Sequence, residues 1–534
     1  MDREAHIERL KNESFDVLVI GGGATGSGAA LDAATRGLNV AMIERDDFAA
    51  GTSSRSTKLI HGGVRYLEKA IKHLDRTQWN LVRDGLKERA VLLKIAPHLA
   101  RPMPILTPIY NLLEVPYITT GLKIYDRLAG KANLQPSRFL GPTAAKKQFP
   151  MLKGEGLRGA VVYYDGQFDD ARMNLAIVLT AAEQGAAVAN HVEVKGLTKE
   201  GAKLTGVTLR DRLSGDEWDV SAKVVVNATG PFTDKIRYMD DPNAKEMLSA
   251  SSGVHIVLDQ RFSPPETGLL IPETDDGRVL FLLPWLNHTL VGTTDKPADI
   301  EDNPKPTEED IEYILHHIER YFDVPVKRED VLSSWSGLRP LVSDPEASDT
   351  AGLSRDHVVN ISDSGLLTIA GGKWTSYRKM GLDAINEAVK LGNLNPQRES
   401  QTETTKLVGA DKFTSSDIGK LQQEFDLAAD VAEYLNRAYG DRARNVAKLA
   451  TNGLGERLVQ GEPFLAAEVV YAAKHEGARS ATDFLARRTR IGFLDEGATL
   501  SSLPKVSSLL AETLDWDSSR QQRDQEEAKG YFSA

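Results

Sequence analysis

Residues 15–20 read FDVLVI, a continuous apolar run rich in Val and Ile, which predicts a strand covered on both faces. The glycine-rich stretch GGGATGSG follows, then AALDAATRG with its helix-forming alanines, then NVAMIER. Strand, tight turn, helix and strand in that order make one βαβ unit of about 30 residues. Gly37 stands where a helix C-terminal glycine belongs. Residues 48–65, FAAGTSSRSTKLIHGGVR, are too rich in Gly, Ser and Thr for a regular element and read as a long ordered loop. Helical apolar spacing returns over 66–95, and 97–140 mixes Pro, aromatic and aliphatic residues without a clear period.

Further on, RMNLAIVLTAAEQGAA (172–187) predicts a helix, and VANHVEV and KVVVNATG predict strands flanking a β-meander. Residues 253–295 are strand-rich, and 307–322 read as a helix with Thr307 as N-cap. LLTIA (366–370) is another apolar strand, followed by a Gly-Gly turn and the helical GGKWTSYRKMGLDAINEAVK. After Gly392 comes a polar linker, then successive amphipathic helices over about 415–490. The last ~20 residues, charged and polar, predict a loosely ordered tail.

Composition narrows the chemistry. The 534 residues suffice for about three to four domains. Lys+Arg 65 against Asp+Glu 76 gives −11, which disfavours a general nucleic-acid binder. With 0 cysteines, disulfides, thiolate metal sites and a Cys nucleophile are excluded. No His/Asp/Glu cluster has metal-ligand spacing, and no strand-turn-helix G-x-S-x-G points to a hydrolase. No apolar run approaches the ~18 residues of a membrane span. The N-terminus carries Asp2, Glu4, Glu8 and Glu13, unlike an acid-poor transit peptide, which predicts a cytoplasmic protein.

Gly21-x-Gly23-x-x-Gly26 follows a strand and opens a helix, the context a dinucleotide fingerprint requires. Gly21 makes the turn, Gly23 admits a pyrophosphate and Gly26 permits helix–strand packing. Glu44, 23 residues after Gly21, can accept from ribose hydroxyls and would repel a 2′-phosphate. Three features favour FAD over NAD: the strand end NATG at 227–230, the strand–Gly371-Gly372–helix unit, and the hydroxyl-rich loop GTSSRSTKLIHGG at 51–63.

At this point the chain resembles the FAD-dependent glycerol-3-phosphate dehydrogenases. DVLVIGGGATGSG, TSSRSTKLIHGGVRYLE, LLKIAPHLARPMP, DDARMN, VVNATGP, SGVHIVL, VGTTD, SGLRPL, LSRD, GGKWTSYRK and AEVVYAAKHEGA…DFLARRTRIGF run in family order from about 15 to 494. Leu258 and Asp259 replace an expected Val-Pro pair, and Trp374 stands where Leu is usual. The resemblance implies an α/β plus α architecture of D-amino-acid-oxidase type. A Rossmann-type FAD domain would comprise 14–95, 155–240 and 355–391; an antiparallel-sheet substrate domain, 96–154 and 241–354; and a helical C-terminal domain, 395–534. It also implies oxidation of sn-glycerol 3-phosphate to dihydroxyacetone phosphate, with electrons passed to a quinone. The related oxidases, which use O₂, carry an insertion that is missing here.

A phosphomonoester dianion needs at least two cations, preferably Arg. The candidates in Gly- or Pro-containing motifs are Arg65, Arg339, Arg355 and Lys373. Loss of a C2 hydride and a hydroxyl proton calls for a general base, and His255 in GVHIVL is the candidate. With the resemblance, His255 and Arg339 are the catalytic pair. Arg65, Arg355 and Lys373 then hold the phosphate, with Tyr66 and Thr375 as secondary contacts. FAD is expected on Gly21, Gly23, Ala24, Thr25, Gly26, Glu44 and Arg45, and on Thr52, Ser53, Ser54, Ser56, Lys58, His61 and Gly62 of the loop. Val192, Ala228, Thr229, Gly230, Gly371, Gly372, Lys373, Trp374 and Thr375 complete that set.

Between Lys69 and Lys131 the chain has 11 Lys/Arg against 5 Asp/Glu, together with Trp79, Leu112, Leu113, Tyr117, Ile118, Leu122, Ile124 and Tyr125. That mixture predicts an interfacial anchor, expected on the cytoplasmic leaflet. The apolar helix faces of the C-terminal domain call for cover by the other domains or by a second copy of the chain.

Overall fold

The structure is a computed structural model that describes residues 1–64, 67, 75–343 and 357–533. In chain order the described strands are β1 Phe15–Ile20, β2 Val40–Ile43, β3 Leu59–Ile60, β4 Ala100–Ile109, β5 Arg138–Leu140, β6 Gly159–Phe168, β7 Ala187–Ala189, β8 Val192–Glu200 and β9 Lys203–Asp211. They continue with β10 Glu217–Asn227, β11 Leu248–Asp259, β12 Gly268–Ile271, β13 Leu280–Trp285, β14 His288–Gly292, β15 Lys296–Pro297, β16 Val331–Val342, β17 His357–Ile361 and β18 Leu367–Gly371.

The apolar runs at β1, β2, β10 and β18 build a sheet ordered β17-β18-β10-β1-β2-β7. The pairs β10–β1, β1–β2, β2–β7 and β10–β18 are parallel. Parallel pairing needs helical crossovers on the faces, which is why these strands are apolar on both sides. Helices Ala24–Thr35, Asp170–Glu183 and Tyr377–Leu391 supply that cover, and their Leu31, Ile177 and Ile385 join Val17, Val19, Val224 and Ile369 in one core. The predicted meander is β8–β9–β10.

A second sheet runs β15-β11-β14-β13-β12-β4-β6-β3, with β16 added to β11 and β5 to β6. Its longest ladder is β11–β16, antiparallel from Leu248↔Val342 to Leu258↔Val331. Helix Glu308–Tyr321 packs on this sheet through Ile311, Ile314 and Ile318, and Thr307 caps it in a capping box as expected.

Two expectations are corrected. The patternless 97–140 segment contains β4 and the helix Glu114–Ala129; the prolines of β4 hid its alternation. The helical reading of 66–95 holds over Arg76–Ile95, capped by Asp75; of 66–74 only Leu67 is described. The tail is ordered: Ser518–Phe532 is a helix capped by Asp517, with Asp524 and Ala528 buried. The tail reads as polar because few of its residues face inward.

From Asp417 to Phe532 the chain is helical, and its core (Leu435, Val469, Phe484, Val506) is continuous with Trp285 and Trp335 of the second sheet.

Candidate active site

The first glycine turn is tight for a visible reason. Gly21 has φ +111°, and a Cβ there would lie 2.6 Å from the carbonyl oxygen of Ala228 at the end of β10. A Cβ on Gly26 would overlap the Gly21 carbonyl oxygen, so helix Ala24–Thr35 meets β1 only through glycine. That helix starts at Gly23 with no side-chain cap and no acid in its first turn. The Ala24 N–H donates to Ser53 Oγ at 2.9 Å. The Glu44 carboxylate accepts from the Gly22 N–H (2.7 Å) and the Asp46 N–H (2.9 Å). Burial and the neighbouring Asp46 raise its pKa. Val192 N–H donates to the Glu44 carbonyl at 2.8 Å. Thr229 Oγ1 donates to Asn227 Oδ1 at 2.8 Å, Gly230 has φ +57°, and Thr25 faces Met380. Arg45 points outward, over the Phe232 ring and onto Asp46 and Asp302.

The second turn, Gly371-Gly372, has φ +79° and +77°. It leads through Lys373, Trp374 and Thr375 into helix Tyr377–Leu391, again with no side-chain cap and no acid in the first turn. Loop 52–62 links the two turns. Trp374 Nε1 donates to the Ser53 carbonyl (2.8 Å), and His61 N–H donates to Thr375 Oγ1 (3.3 Å). Thr52 Oγ1 donates to the Leu338 carbonyl of β16 (2.6 Å), and Gly62 N–H donates to Tyr125 Oη (2.8 Å). Two uncapped helix starts closed by a hydroxyl-bearing loop suit an anionic dinucleotide, and this donor set fits FAD.

Strand β11 supplies the predicted base. His255 pairs with Gly292 of β14 on one side and Trp335 of β16 on the other. It is 2% exposed and stacked on Trp335, with ring centroids 4.3 Å apart. Its Nε2 is 2.9 Å from Thr57 Oγ1. A Cβ on Gly292 would lie 2.8 Å from His255 Cγ, so that glycine makes room for the imidazole. Arg339 pairs with Ser251, two register steps of two from Trp335, so His255 and Arg339 share one face of the sheet. Gly253 makes room for the guanidinium, since a Cβ there would lie 2.8 Å from Arg339 Cζ. Arg339 Nη2 donates to Thr293 Oγ1 and the Thr294 carbonyl (both 3.0 Å), and Nη1 lies 3.3 Å from Asp295. Burial, then the cations of Lys58 and Arg339, hold the His255 pKa well below the ordinary value, so the imidazole is neutral.

Sequence reasoning missed several partners. Lys58, expected on the cofactor, is fully buried. Its ammonium donates to Asp170 Oδ2 (2.7 Å) and the Ser54 carbonyl (2.8 Å), over the Trp335 and Trp285 rings at 4.7 and 5.1 Å. Ser56 donates through both N–H and Oγ to the same Asp170 oxygen. Arg490, from the C-terminal helices, donates to the Ser54 carbonyl (2.6 Å) and sits 3.4 Å from Asp170. Burial pushes the Lys58 ammonium down to about 7. Thr57 and Asp170 lie inside TSSRSTK and DDARMN, and Arg490 inside ARRTRIGF, so the motifs held the signal while their chemistry was left unread. Arg65, Tyr66 and Arg355 lie outside the described residues.

Comparison with known proteins places this architecture. Residues 16–378 match the family model described as FAD dependent oxidoreductase. Residues 400–521 match that of the C-terminal domain of alpha-glycerophosphate oxidase. The mitochondrial glycerol-3-phosphate dehydrogenase of Bos taurus is 51% identical over 545 residues, covering 99% of this chain and 75% of that protein. The chain belongs to the FAD-dependent glycerol-3-phosphate dehydrogenase family. Its cofactor is FAD. A mitochondrial relative from Arabidopsis thaliana is 48% identical, covering 99% of this chain and 87% of its own length. Among solved structures, a glycerol-3-phosphate dehydrogenase from Bacillus halodurans complexed with FAD superposes with a TM-score of 0.81. It has 31% identity and covers 99% of this chain and 97% of that one.

The cytoplasmic expectation is overturned by the Bos taurus and Arabidopsis thaliana relatives, both of which are named mitochondrial. The N-terminal acids belong to a structural helix, Arg3–Asn12, whose Ile7 and Leu10 are buried and whose Arg3 pairs with Asp211 at 2.9 Å. Among the described residues, no helix is long and apolar enough to cross a membrane.

Proposed function

We propose that this family member oxidises sn-glycerol 3-phosphate to dihydroxyacetone phosphate and passes the electrons to a quinone. The observation that carries the chemistry is the buried, neutral His255 beside Arg339 on one sheet face, joined to the cofactor loop through Thr57. When bound, FAD supplies the acceptor for the hydride that leaves C2. His255 takes the proton of the C2 hydroxyl, for which its uncharged state suits it. Arg339, fixed by Thr293 and Thr294, stabilises the oxygen as negative charge develops on it. Lys373 and Thr375, at the second glycine turn, are assigned to the phosphate, as the motif arginines Arg65 and Arg355 are from the sequence alone. The first turn and Glu44 would hold the adenosine end of the cofactor.

The quinone assignment rests on the family and on a surface patch. Leu112, Leu113 and Tyr117, at the head of helix Glu114–Ala129, are 63%, 84% and 53% exposed. Lys123 and Arg127 follow on the same helix. Exposed apolar residues with nearby basic ones suit a lipid surface, where quinones dissolve. Leu122 and Tyr125 of the expected anchor are buried instead, packed in the core with Leu86 and Tyr163. The docking surface is therefore narrower than the 69–131 segment.

Anaerobic titration of the purified protein with glycerol 3-phosphate tests the activity. Bleaching of the oxidised-flavin bands is expected, with fast recovery on a quinone analogue and slow recovery in air. Flavin bands that persist through saturating substrate would remove the proposal. Cosedimentation with anionic vesicles tests the patch, and Leu113→Glu should weaken it.

A further inference from the structure

The stretch VGTTD, 291–295, enters the mechanism above only in part. Gly292 makes room for His255, and the three residues after it close around the Arg339 guanidinium. Thr293 offers a hydroxyl and Thr294 a carbonyl, both at 3.0 Å, and Asp295 offers a carboxylate at 3.3 Å. The first two are neutral acceptors. The third is an anion whose side chain is only 6% exposed. A carboxylate orients a guanidinium firmly, because a charge-assisted bond is about twice as strong as a neutral one. It also offsets the positive charge that a developing alkoxide needs.

The surroundings of Asp295 reconcile these demands. Its two oxygens face opposite ways. Oδ1 is turned to Arg339 and accepts from Ser251 Oγ on β11. Oδ2 is ion-paired with Arg278 Nη1. Arg278 comes from a separate turn, between β12 and β13. Its N–H donates to Thr274 Oγ1 (3.0 Å), its carbonyl accepts from the Thr274 N–H (3.0 Å), and its Nε lies 3.2 Å from Asp276. Arg339, Asp295 and Arg278 thus stand in a row of alternating sign.

We propose that Asp295 is a positioning residue for the oxidation, acting through Arg339, and that Arg278 is the counter-charge that lets it hold that arginine without cancelling it. This deepens the reading of Arg339 given above and rests on it. A purely structural pair would do no more than tie the 274–278 turn to the 293–295 segment. Such a pair would act on stability, whereas a positioning pair acts on the rate of the chemical step.

Stopped-flow reduction of the FAD-loaded full chain by glycerol 3-phosphate separates the two. Asp295→Asn keeps the shape but has one accepting oxygen for two guanidiniums. Its limiting reduction rate should fall about tenfold, with the half-saturating concentration within about threefold of wild type, since the phosphate is assigned to other residues. Arg278→Gln leaves the carboxylate to draw on Arg339 and should also slow reduction about tenfold. Added to Asp295→Asn, it should cost less than about twofold more, because no carboxylate remains to offset. Wild-type flavin content establishes that each variant is folded. Arg278, with its side chain 18% exposed, is the more tolerant position, and Arg278→Gln decides the matter alone if Asp295→Asn loses its flavin. The proposal is overturned by wild-type limiting rates in either flavin-loaded variant, by losses that multiply in the double variant, or by a loss confined to the half-saturating concentration. Arg339→Ala, measured alongside, tells the two readings apart. If it reduces its flavin at the wild-type rate, the placement of Arg339 falls and this proposal with it. If it is slow while Asp295→Asn and Arg278→Gln are not, only this proposal falls.

Discussion

Adding one methyl group at Gly292 should silence the enzyme without emptying it. The new Cβ would lie 2.8 Å from His255 Cγ and 2.9 Å from Nε2, where an ordinary contact is about 3.5–4.0 Å. The imidazole must therefore withdraw by about 1 Å. It cannot slide toward β16, because Trp335 is stacked on it and is itself packed edge-on against Phe493 at 5.3 Å. The remaining escape breaks the 2.9 Å contact with Thr57. A displacement of that size at a reacting group costs on the order of 100-fold in rate. Overpacking alone costs about 1–3 kcal/mol of stability. Gly292→Ala should then show flavin reduction by glycerol 3-phosphate slowed about 100-fold in a stopped-flow experiment. Flavin content should be normal, because both cofactor turns lie elsewhere. A folded variant that reduces its flavin at the wild-type rate would refute the placement of His255 at the reacting centre. Loss of FAD would refute the separation of that wall from the cofactor turns.

Gly26→Ala should do the reverse, giving protein that folds with little FAD, because its Cβ overlaps the Gly21 carbonyl; the flavin-to-protein absorbance ratio reads it. Asp170→Asn removes the carboxylate that Ser56, Lys58 and Arg490 share, leaving the buried Arg490 guanidinium without its nearest counter-charge and the Lys58 amine and Ser56 without their acceptor. A loss of about 3–5 kcal/mol in urea unfolding is expected, and a loss under ~1 kcal/mol would contradict it. Lys58, at about 7 in the folded chain against an ordinary 10.5, makes stability depend on pH. The unfolded chain holds its proton across that window and the folded chain does not. Stability from this group is therefore full above the ordinary value and lost as pH falls through the folded one. The wild type should gain stability between pH ~7 and ~10 relative to Lys58→Met, and parallel curves for the two would exclude the shift.

The sequence made the parallel sheet legible because both-face burial leaves unbroken apolar runs, as in FDVLVI and KVVVNATG. The glycine turns were legible because their chemistry is local: Gly21, Gly26 and Glu44 lie within one βαβ unit. His255 and Arg339 were found as residue types in motifs, but what holds them is non-local. Gly292, Trp335 and Thr57 reach His255 from three separate stretches, and no spacing along the chain announces that. A local cause hid β4, whose prolines sit at 102, 104 and 108 and break any simple alternation. The ordered tail was hidden because few of its residues pack inward.

The C-terminal helices have a physical role that their amphipathic pattern does not convey. Arg487 and Arg488 both bond the buried Asp47, just after β2, at 2.6 and 2.8 Å. Arg490 bonds the Ser54 carbonyl of the cofactor loop, and Tyr531 from the last helix accepts from Arg55 at 2.8 Å. Arg55 in turn donates to the Ser336 carbonyl of β16 at 2.7 Å. Loop 52–58 is thus held from the second sheet on one side and from the helical domain on the other. A loop rich in Gly, Ser and Thr has little apolar surface with which to order itself, and its backbone entropy must be offset by bonds from outside. Buried arginines suit that task, because one guanidinium can satisfy a carbonyl and a carboxylate together. Thr57 stands in the same loop, so its contact with His255 depends on that bracing. The helical domain therefore acts on the candidate base through the loop, although none of its residues touches the imidazole in the contacts described.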